Sequence, residues 1–423
     1  MTAVKNAPFA ALRGKKPEDL FGLLATPCYI LDESALRQNG EILAGVAART
    51  GCRLLLAQKA FTNYDCYPIL APYLCGTEAS GLFEARLGKE ELPEKEVHVF
   101  CAAYRADEFD ELLQYADHIV FNSPAQLRTY GPAAKRAGKS LGLRVNPECS
   151  TQDGHAIYDP CAPGSRLGTT RAQWDAQMTP ELIALLDGLH FHTLCEQDSD
   201  ALEITLRAVD EKFGDVLPRM NWLNMGGGHH VTRPDYDIPR LERCIRFARE
   251  TWDLDVYLEP GEAWALNAGY LASRVLDLTE NNGVHNAILD CSAACHMPDV
   301  IEMPYQPPIY CAEPVDFSSR EAAPEEASAP AAARTDAPAP TGHVYRLGGP
   351  TCLAGDVVGD YRFDAPLSVG DLVLFGDLAI YSTNKNNTFN GMPLPNICRR
   401  TEDGSLERLT DFGYRDFKYR LGR

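Results

Sequence analysis

"LLLAQKAF", residues Leu54–Phe61, is a short apolar run interrupted by one lysine and then resumed. It lacks a helical period and turn-rich sequence follows it, so it reads as a buried strand. A solitary ammonium at the end of such a strand has two readings. In one, the stem of Lys59 packs and its head reaches water, as strand-terminal lysines ordinarily do. In the other, Lys59 is a reactive amine set in a cleft to form an imine with a carbonyl. The strand alone leaves both open, and the rest of the chain has to decide.

Outward from this run, short apolar segments alternate with amphipathic ones. Strands are expected at Leu54–Ala57, Thr77–Ser80, Val97–Ala102, His118–Asn122, Ser140–Val145, Gly188–Thr193, Trp222–Met225 and Val256–Glu259. Between them lie helical stretches such as "ADEFDELLQYA", "SPAQLRTYGPAAKRAG", "SDALEITLRAVDEKFG" and "IPRLERCIRFARETW". Strand–helix alternation repeated about eight times is the pattern of an α/β fold, a (β/α)8 TIM-like barrel. An open doubly wound sheet competes with it, but the usual dinucleotide fingerprint is absent. The barrel is expected over residues 33–268. After Gly269 the segments "YLASRVLDL", "NAILD", "DVVGDYRF" and "DLVLFGDLAIYS" look like strands joined by turns, which predicts an all-β domain from residues 1–32 and 269–423. The isolated strand "TPCYILD" is expected to pair with it. Residues 312–342 are rich in Ala, Pro and Glu with few large apolar residues, so they read as a disordered insertion.

Composition narrows the class. At 45% hydrophobic residues over 423, the chain can bury one large core or two moderate ones. Fifty-nine acidic against 40 basic residues, net −19, would repel a phosphate backbone, so nucleic acid is not an expected partner. The first twenty residues lack a signal-peptide core, and no apolar stretch is long enough to cross a bilayer, so no membrane partner is expected. The 14 cysteines are scattered without paired metal-ligand spacing, which predicts reduced thiols, no metal and a cytoplasmic address.

Chemistry in a closed barrel sits at the C-terminal ends of its strands. Lys59 closes the first. His192 ends "GLHFHTL", Gly226, Gly227 and Gly228 follow "WLNM", and Glu259 with Gly261 and Glu262 follow "DVYL". Singly, each has an ordinary structural explanation: a half-buried histidine, a tight turn, a solvated acid. A glycine run after a buried strand also lets backbone N–H groups approach an anion. An amine, a flat imidazole, an anion nest and a carboxylate together describe a site for an anionic, aromatic, carbonyl-bearing cofactor, and pyridoxal 5′-phosphate fits.

The pieces "QKAF", "GTEASGLFEARLGKEEL", "SRLG", "NMGGGHH", "YLEPGEA", "LDCSAACHMPD", "GGPTCLAGDVVGDYRF" and "FNGMPLP", in this order and spacing, resemble one family. It is the alanine racemase-like, fold-type III pyridoxal-phosphate decarboxylases, and within them the carboxynorspermidine/carboxyspermidine decarboxylases. The resemblance implies that Lys59 holds the cofactor covalently and that His192 stacks on its ring. Glu259 would pair with the ring nitrogen, while Gly226 to Gly228, Gly261 and Tyr381 would help bind the cofactor and its phosphate. Cys352 and Asp356, the latter as a substrate-binding residue, would complete the site of a partner subunit, which implies a homodimer with shared active sites. Cys352 would be the general acid that protonates the carbon losing carbon dioxide.

The resemblance also places Glu262 and Asp299 against the substrate. Relatives acting on ornithine or arginine commonly carry an arginine where this chain has Glu262. Carboxynorspermidine and carboxyspermidine carry amines beyond the reacting carbon, and paired carboxylates would neutralise them. Diaminopimelate decarboxylase or another basic amino-acid decarboxylase of the fold is the alternative, although two acids would repel the second carboxylate of diaminopimelate. A non-catalytic regulator on the same fold is a further alternative, and one that could have dispensed with Lys59 and Cys352.

Overall fold

The computed structural model describes residues 9–152, 159–315 and 342–422. They form two compact units, one within residues 35–266 and one from residues 9–34 together with those described after 266. The cuts fall two residues inside each of the expected limits, 33 and 268.

β1 (Cys28–Asp32) belongs to the second unit. The first unit is a closed barrel of β2 (Arg53–Ala57), β3 (Gly76–Ala79), β4 (Glu96–Phe100), β5 (His118–Phe121), β6 (Ser140–Arg144), β7 (Gly188–His190), β8 (Trp222–Asn224) and β9 (Asp255–Leu258). Each strand pairs in parallel with the next, and β9 returns to β2 through Tyr257 opposite Arg53. Closure removes the open-sheet alternative. The four quoted helical stretches become the helices Phe109–Tyr115, Pro124–Arg136, Ser199–Phe213 and Ile238–Trp252. Ser123 Oγ and the Asp237 carboxylate cap the second and fourth by accepting from Gln126 N and Arg240 N.

Inside the barrel, Leu55, Val120, Trp222 and Tyr257 pack together. The Trp222 indole lies over β6 and β7, where a Cβ on Gly142 or Gly188 would come within 2.4 or 2.0 Å of the ring. Its Nε1 donates to Ser140 Oγ at 2.9 Å, so the one polar atom of the plug is satisfied. Near the strand starts, the His98 and His118 rings stack at 3.9 Å while Glu96 contacts His98 and Arg53.

The second unit is a nine-stranded sheet. Its strands are β1, β10 (Gly269–Asn281), β11 (Val284–Leu289), β12 (Ala312–Val315), β13 (His343–Gly348), β14 (Val357–Phe363), β15 (Leu372–Gly376), β16 (Asn396–Arg400) and β17 (Leu406–Thr410). The order is β12-β14-β13-β11-β10-β1-β16-β17, with β15 also pairing β10. β1 does pair into this sheet, antiparallel to β10 and parallel to β16. A buried ion pair, Arg400 Nη1 to Asp32 Oδ2 at 3.0 Å, ties β1 to β16.

Two sequence expectations need correction here. Residues Ala312–Val315, assigned to the disordered insertion, form β12, which among the described residues is an edge strand with β14 as its ladder partner. Pro314 is tolerated because an edge strand has a side on which no N–H is required. Of the rest of the expected insertion, residues 316–341 lie outside the described residues. The run "DLVLFGDLAIYS" is also not strand throughout: β15 stops at Gly376, Asp377 and Tyr381 take positive φ, and Ser382–Lys385 forms one helical turn.

Candidate active site

The question raised by Lys59 is answered by its neighbours. After Ala57 the chain turns back on itself, with Ala60 N donating to Ala57 O and Phe61 N to Gln58 O. Gln58, Ala60 and Phe61 are fully buried, and the Lys59 side chain alone is partly exposed. Its Nζ lies 3.8 Å from Glu78 Oε2, at the end of the adjacent β3. Glu78 is buried and this oxygen has no hydrogen-bond partner among the described residues. Burial pushes the Glu78 carboxyl up to about 8, against the pull of Lys59. The lysine therefore opens into the mouth of the barrel beside a poorly solvated carboxyl.

Glu259 follows β9 and is buried. Asn224 Nδ2, at the end of β8, donates to its Oε1 at 2.6 Å, and His190 Nε2, at the end of β7, lies 3.1 Å from its Oε2. Burial alone would raise this carboxyl, but His190, Lys59 and His98 together outweigh it and Glu259 is held below the usual carboxylate range. Burial likewise holds His190 below the ordinary imidazole range, so its contact with Glu259 is a hydrogen bond from neutral Nε2–H. Two residues on, the His192 Nδ1 accepts from Gly227 N at 3.2 Å and its carbonyl accepts from Arg144 Nη2 at 3.0 Å. Burial first, then Lys59 and Arg144, keep His192 well below the imidazole range and therefore neutral.

The glycine loop is a close-approach device. A Cβ on Gly227 would lie 2.4 Å from Glu259 O, and one on Gly228, at φ +80°, 2.1 Å from Leu194 O. The Gly226 and Gly227 N–H groups are engaged within the site, by Asn224 Oδ1 and His192 Nδ1. Gly261 sits as tightly, its Cβ position 2.7 Å from Ala60 Cβ. Glu262, next along, has Oε2 2.9 Å from His230 Nε2. Glu196, His230 and Glu262 bring ligand-type atoms within 4.8 Å of one another, as Glu96, His98 and His118 do.

The remaining expected site residues lie in the second unit. Cys352 is an exposed free thiol. Four residues on, Asp356 is buried and accepts from Ser292 Oγ at 2.9 Å, Ala294 N at 3.2 Å and Thr351 Oγ1 at 2.7 Å. Asp299 is paired with Lys385, which also reaches Glu302. Tyr381 stands at φ +49°, an uncommon setting for an aromatic residue. Sequence reasoning missed Glu78, His190, Asn224 and Arg144. All four are polar residues on barrel strands, and polarity within an otherwise apolar strand was the signal available.

A closed parallel barrel with an accessible amine, an ionised buried carboxylate, a neutral imidazole and a crowded glycine loop on its C-terminal rim, followed by an all-β unit, defines a fold-type III pyridoxal-phosphate enzyme. The donor set fits that cofactor, which needs an amine for its aldehyde, an anion for its ring nitrogen and close backbone for its phosphate. The model of the pyridoxal-dependent decarboxylases, C-terminal sheet domain, matches residues 28–379. A carboxynorspermidine/carboxyspermidine decarboxylase of Campylobacter jejuni is 40% identical over 94% of this chain and 98% of its own length. A carboxyaminopropylagmatine decarboxylase of Synechocystis is 39% identical, over 94% and 96%. The crystal structure of carboxynorspermidine decarboxylase from C. jejuni, complexed with norspermidine, superposes with a TM-score of 0.83 at 38% identity, covering 94% of this chain and all of that one. The chain belongs to the pyridoxal-dependent decarboxylases. It is an enzyme, a carboxy-lyase that uses pyridoxal 5′-phosphate. Among the described residues no helix is long and apolar enough to cross a membrane.

Proposed function

We propose that this chain decarboxylates carboxynorspermidine or carboxyspermidine to the corresponding polyamine. The observation that carries the reading is Glu262, a carboxylate on the barrel rim three residues beyond Glu259, with Glu196 close by. Such a rim neutralises amines carried beyond the reacting carbon and repels a second carboxylate, which disfavours diaminopimelate. Near-full-length similarity to relatives named for these substrates supports it. A guanidinium-ended substrate such as carboxyaminopropylagmatine is the second reading, favoured by the almost equal identity to the Synechocystis relative.

Lys59 would bind the cofactor through Nζ and release it to incoming substrate. Glu259, kept ionised by His190 and Asn224, would hold the proton on the ring nitrogen. His192 would lie against the ring, and the Gly226–Gly228 loop with Gly261 and Tyr381 would surround the phosphate. When bound, pyridoxal phosphate supplies the electron sink for the pair left as carbon dioxide departs. Cys352 Sγ of a second copy of the chain would return a proton to the substrate's α-carbon, on a loop braced by Asp356. Asp299 would sit against the substrate's amines. A homodimer and a cytoplasmic address belong to this reading, the latter in keeping with cysteines that are all free.

The test is carbon dioxide release from carboxynorspermidine, carboxyspermidine, carboxyaminopropylagmatine, diaminopimelate, ornithine and arginine measured side by side. One of the first two should give the highest kcat/KM. A preference for diaminopimelate would replace the reading.

A further inference from the structure

His230 is buried beside Glu262, and the roles assigned above leave it unused. Its own backbone is held on both sides: His230 N donates to Gln197 O at 3.3 Å, and Arg233 N donates to His230 O at 2.9 Å. Gln197 and His229 form a parallel bridge, and Gln197 N donates to Gly228 O at 3.0 Å. The loops after β7 and β8 are thus fastened together before either meets Glu262. The charged groups facing the imidazole are Glu262 from the short helix after β9, Glu196 from the loop after β7, and Arg233 and Asp235 from its own loop.

We propose that His230 is a positioning residue for the substrate: through Nε2–H it aims Glu262, engaging Oε2 and leaving Oε1 for the substrate's distal ammonium, and any second proton it takes up competes with that ammonium. The proposal rests on the reading of Glu262 given above. A neutral imidazole orients the carboxylate without cancelling its charge, whereas an imidazolium cancels it. Burial opposes protonation of His230, but Glu262 and Glu196 together hold it above the ordinary imidazole range. Affinity for a polycation is therefore lower on the acid side and rises as pH climbs through the imidazole titration.

The experiment is calorimetric titration of the holoenzyme with norspermidine from about pH 6 to about pH 9, alongside kinetics on carboxynorspermidine. Wild type should gain roughly fivefold or more in affinity across this range beyond what the ligand's own amines explain. Those amines titrate alike against every variant, so differences between variants isolate the protein. His230→Gln keeps a neutral donor near the Nε2 position and should be flat at the wild-type alkaline value. His230→Leu should bind weakly at every pH, raising KM several-fold while kcat and the cofactor spectrum hold. Should the glycine loop be damaged by either change, Glu262→Gln provides the second route and should also abolish the pH step. A pH step surviving in both His230→Gln and Glu262→Gln overturns the proposal, as does zinc bound stoichiometrically by wild type and lost in His230→Leu. Wild type that neither binds norspermidine nor turns over carboxynorspermidine would instead sink the substrate reading itself.

Discussion

Glu259 in the barrel unit and Asp356 in the β unit are both buried and both accept strong hydrogen bonds, yet they serve their surroundings differently. Glu259 is held by Asn224 and His190, side chains from the ends of the two preceding strands, and sits among Lys59, His192 and the glycine loop. Asp356 gathers Ser292, Ala294 and Thr351, and so fastens two loops of its own unit to each other. Asp299 is similarly occupied, by Lys385. The barrel carries a nearly complete cofactor site within one unit, while the β unit carries braced loops that present an exposed thiol. Under the proposed homodimer, a chemically complete site would combine the barrel of one copy with the Cys352 loop of another.

The largest expected effect lies on the barrel side. Lys59→Ala should abolish turnover, and borohydride treatment of the wild-type holoenzyme followed by peptide mapping should place the pyridoxyl label on Lys59. A label on Lys385 would overturn the assignment. Cys352→Ala should come next, losing roughly 10²- to 10⁴-fold in kcat, the usual worth of a positioned general acid, with the cofactor spectrum intact. Mixing the two inactive variants under subunit exchange sharpens the contrast. Random hybrids with shared sites should recover roughly a quarter of wild-type activity, because each mixed dimer regains one whole site. No recovery after verified exchange would place both residues in the same copy's site.

The difference between units also explains what could be read from the sequence. Barrel strands are buried on both faces and appear as near-continuous apolar runs, so alternation with helices was legible, and their ends gave Lys59, His192 and Glu259. Glu78, His190 and Arg144 are the last or next-to-last residues of their strands, still inside them, and which face of a doubly buried strand turns inward depends on the stagger of the closed barrel. His230 and Glu196 sit in rim loops whose meeting at Glu262 depends on the order in which β7, β8 and β9 lie side by side. In the β unit, strand-like texture was visible, but pairing was not. β1 lies against β16, some 370 residues away, and nothing in either segment names its partner. The edge strand β12 was hidden by its Pro and Glu, which suit an edge and nowhere else in a sheet.

The two expected substrate carboxylates should separate along the same line. Glu262→Gln should lower kcat/KM on carboxynorspermidine roughly tenfold to a hundredfold, the loss of one charge-assisted contact. Asp299→Asn should lower it less, because Lys385 already neutralises that carboxylate in its own unit. Equal losses would mean that the substrate displaces Lys385, and Lys385→Met would then improve KM.

The smallest effect concerns the stability of the cofactor-free protein and isolates the barrel unit. Burial holds the Glu78 carboxyl up to about 8, above its ordinary 4.5, so the folded chain keeps a proton that the unfolded chain releases between those values. The sign follows from linkage. The contribution is fully present below about pH 4.5 and is lost as pH rises toward 8, because the unfolded state then binds fewer protons than the folded one. Once ionised, Glu78 retains a contact with Lys59 at 3.8 Å, which limits the loss. Glu78→Gln cannot titrate, so it should melt near wild type at about pH 5 and higher than wild type at about pH 8.5. A difference of roughly 2–4 °C corresponds to 1 kcal/mol in a unit of this size. In the Lys59→Ala background the carboxyl loses its compensating cation, so the alkaline gap between Glu and Gln should widen. Scanning calorimetry of the four cofactor-free proteins at both pH values measures this directly. Parallel pH dependence in the Glu and Gln forms would mean that Glu78 is ionised throughout and that the barrel mouth is far better solvated than its packing indicates.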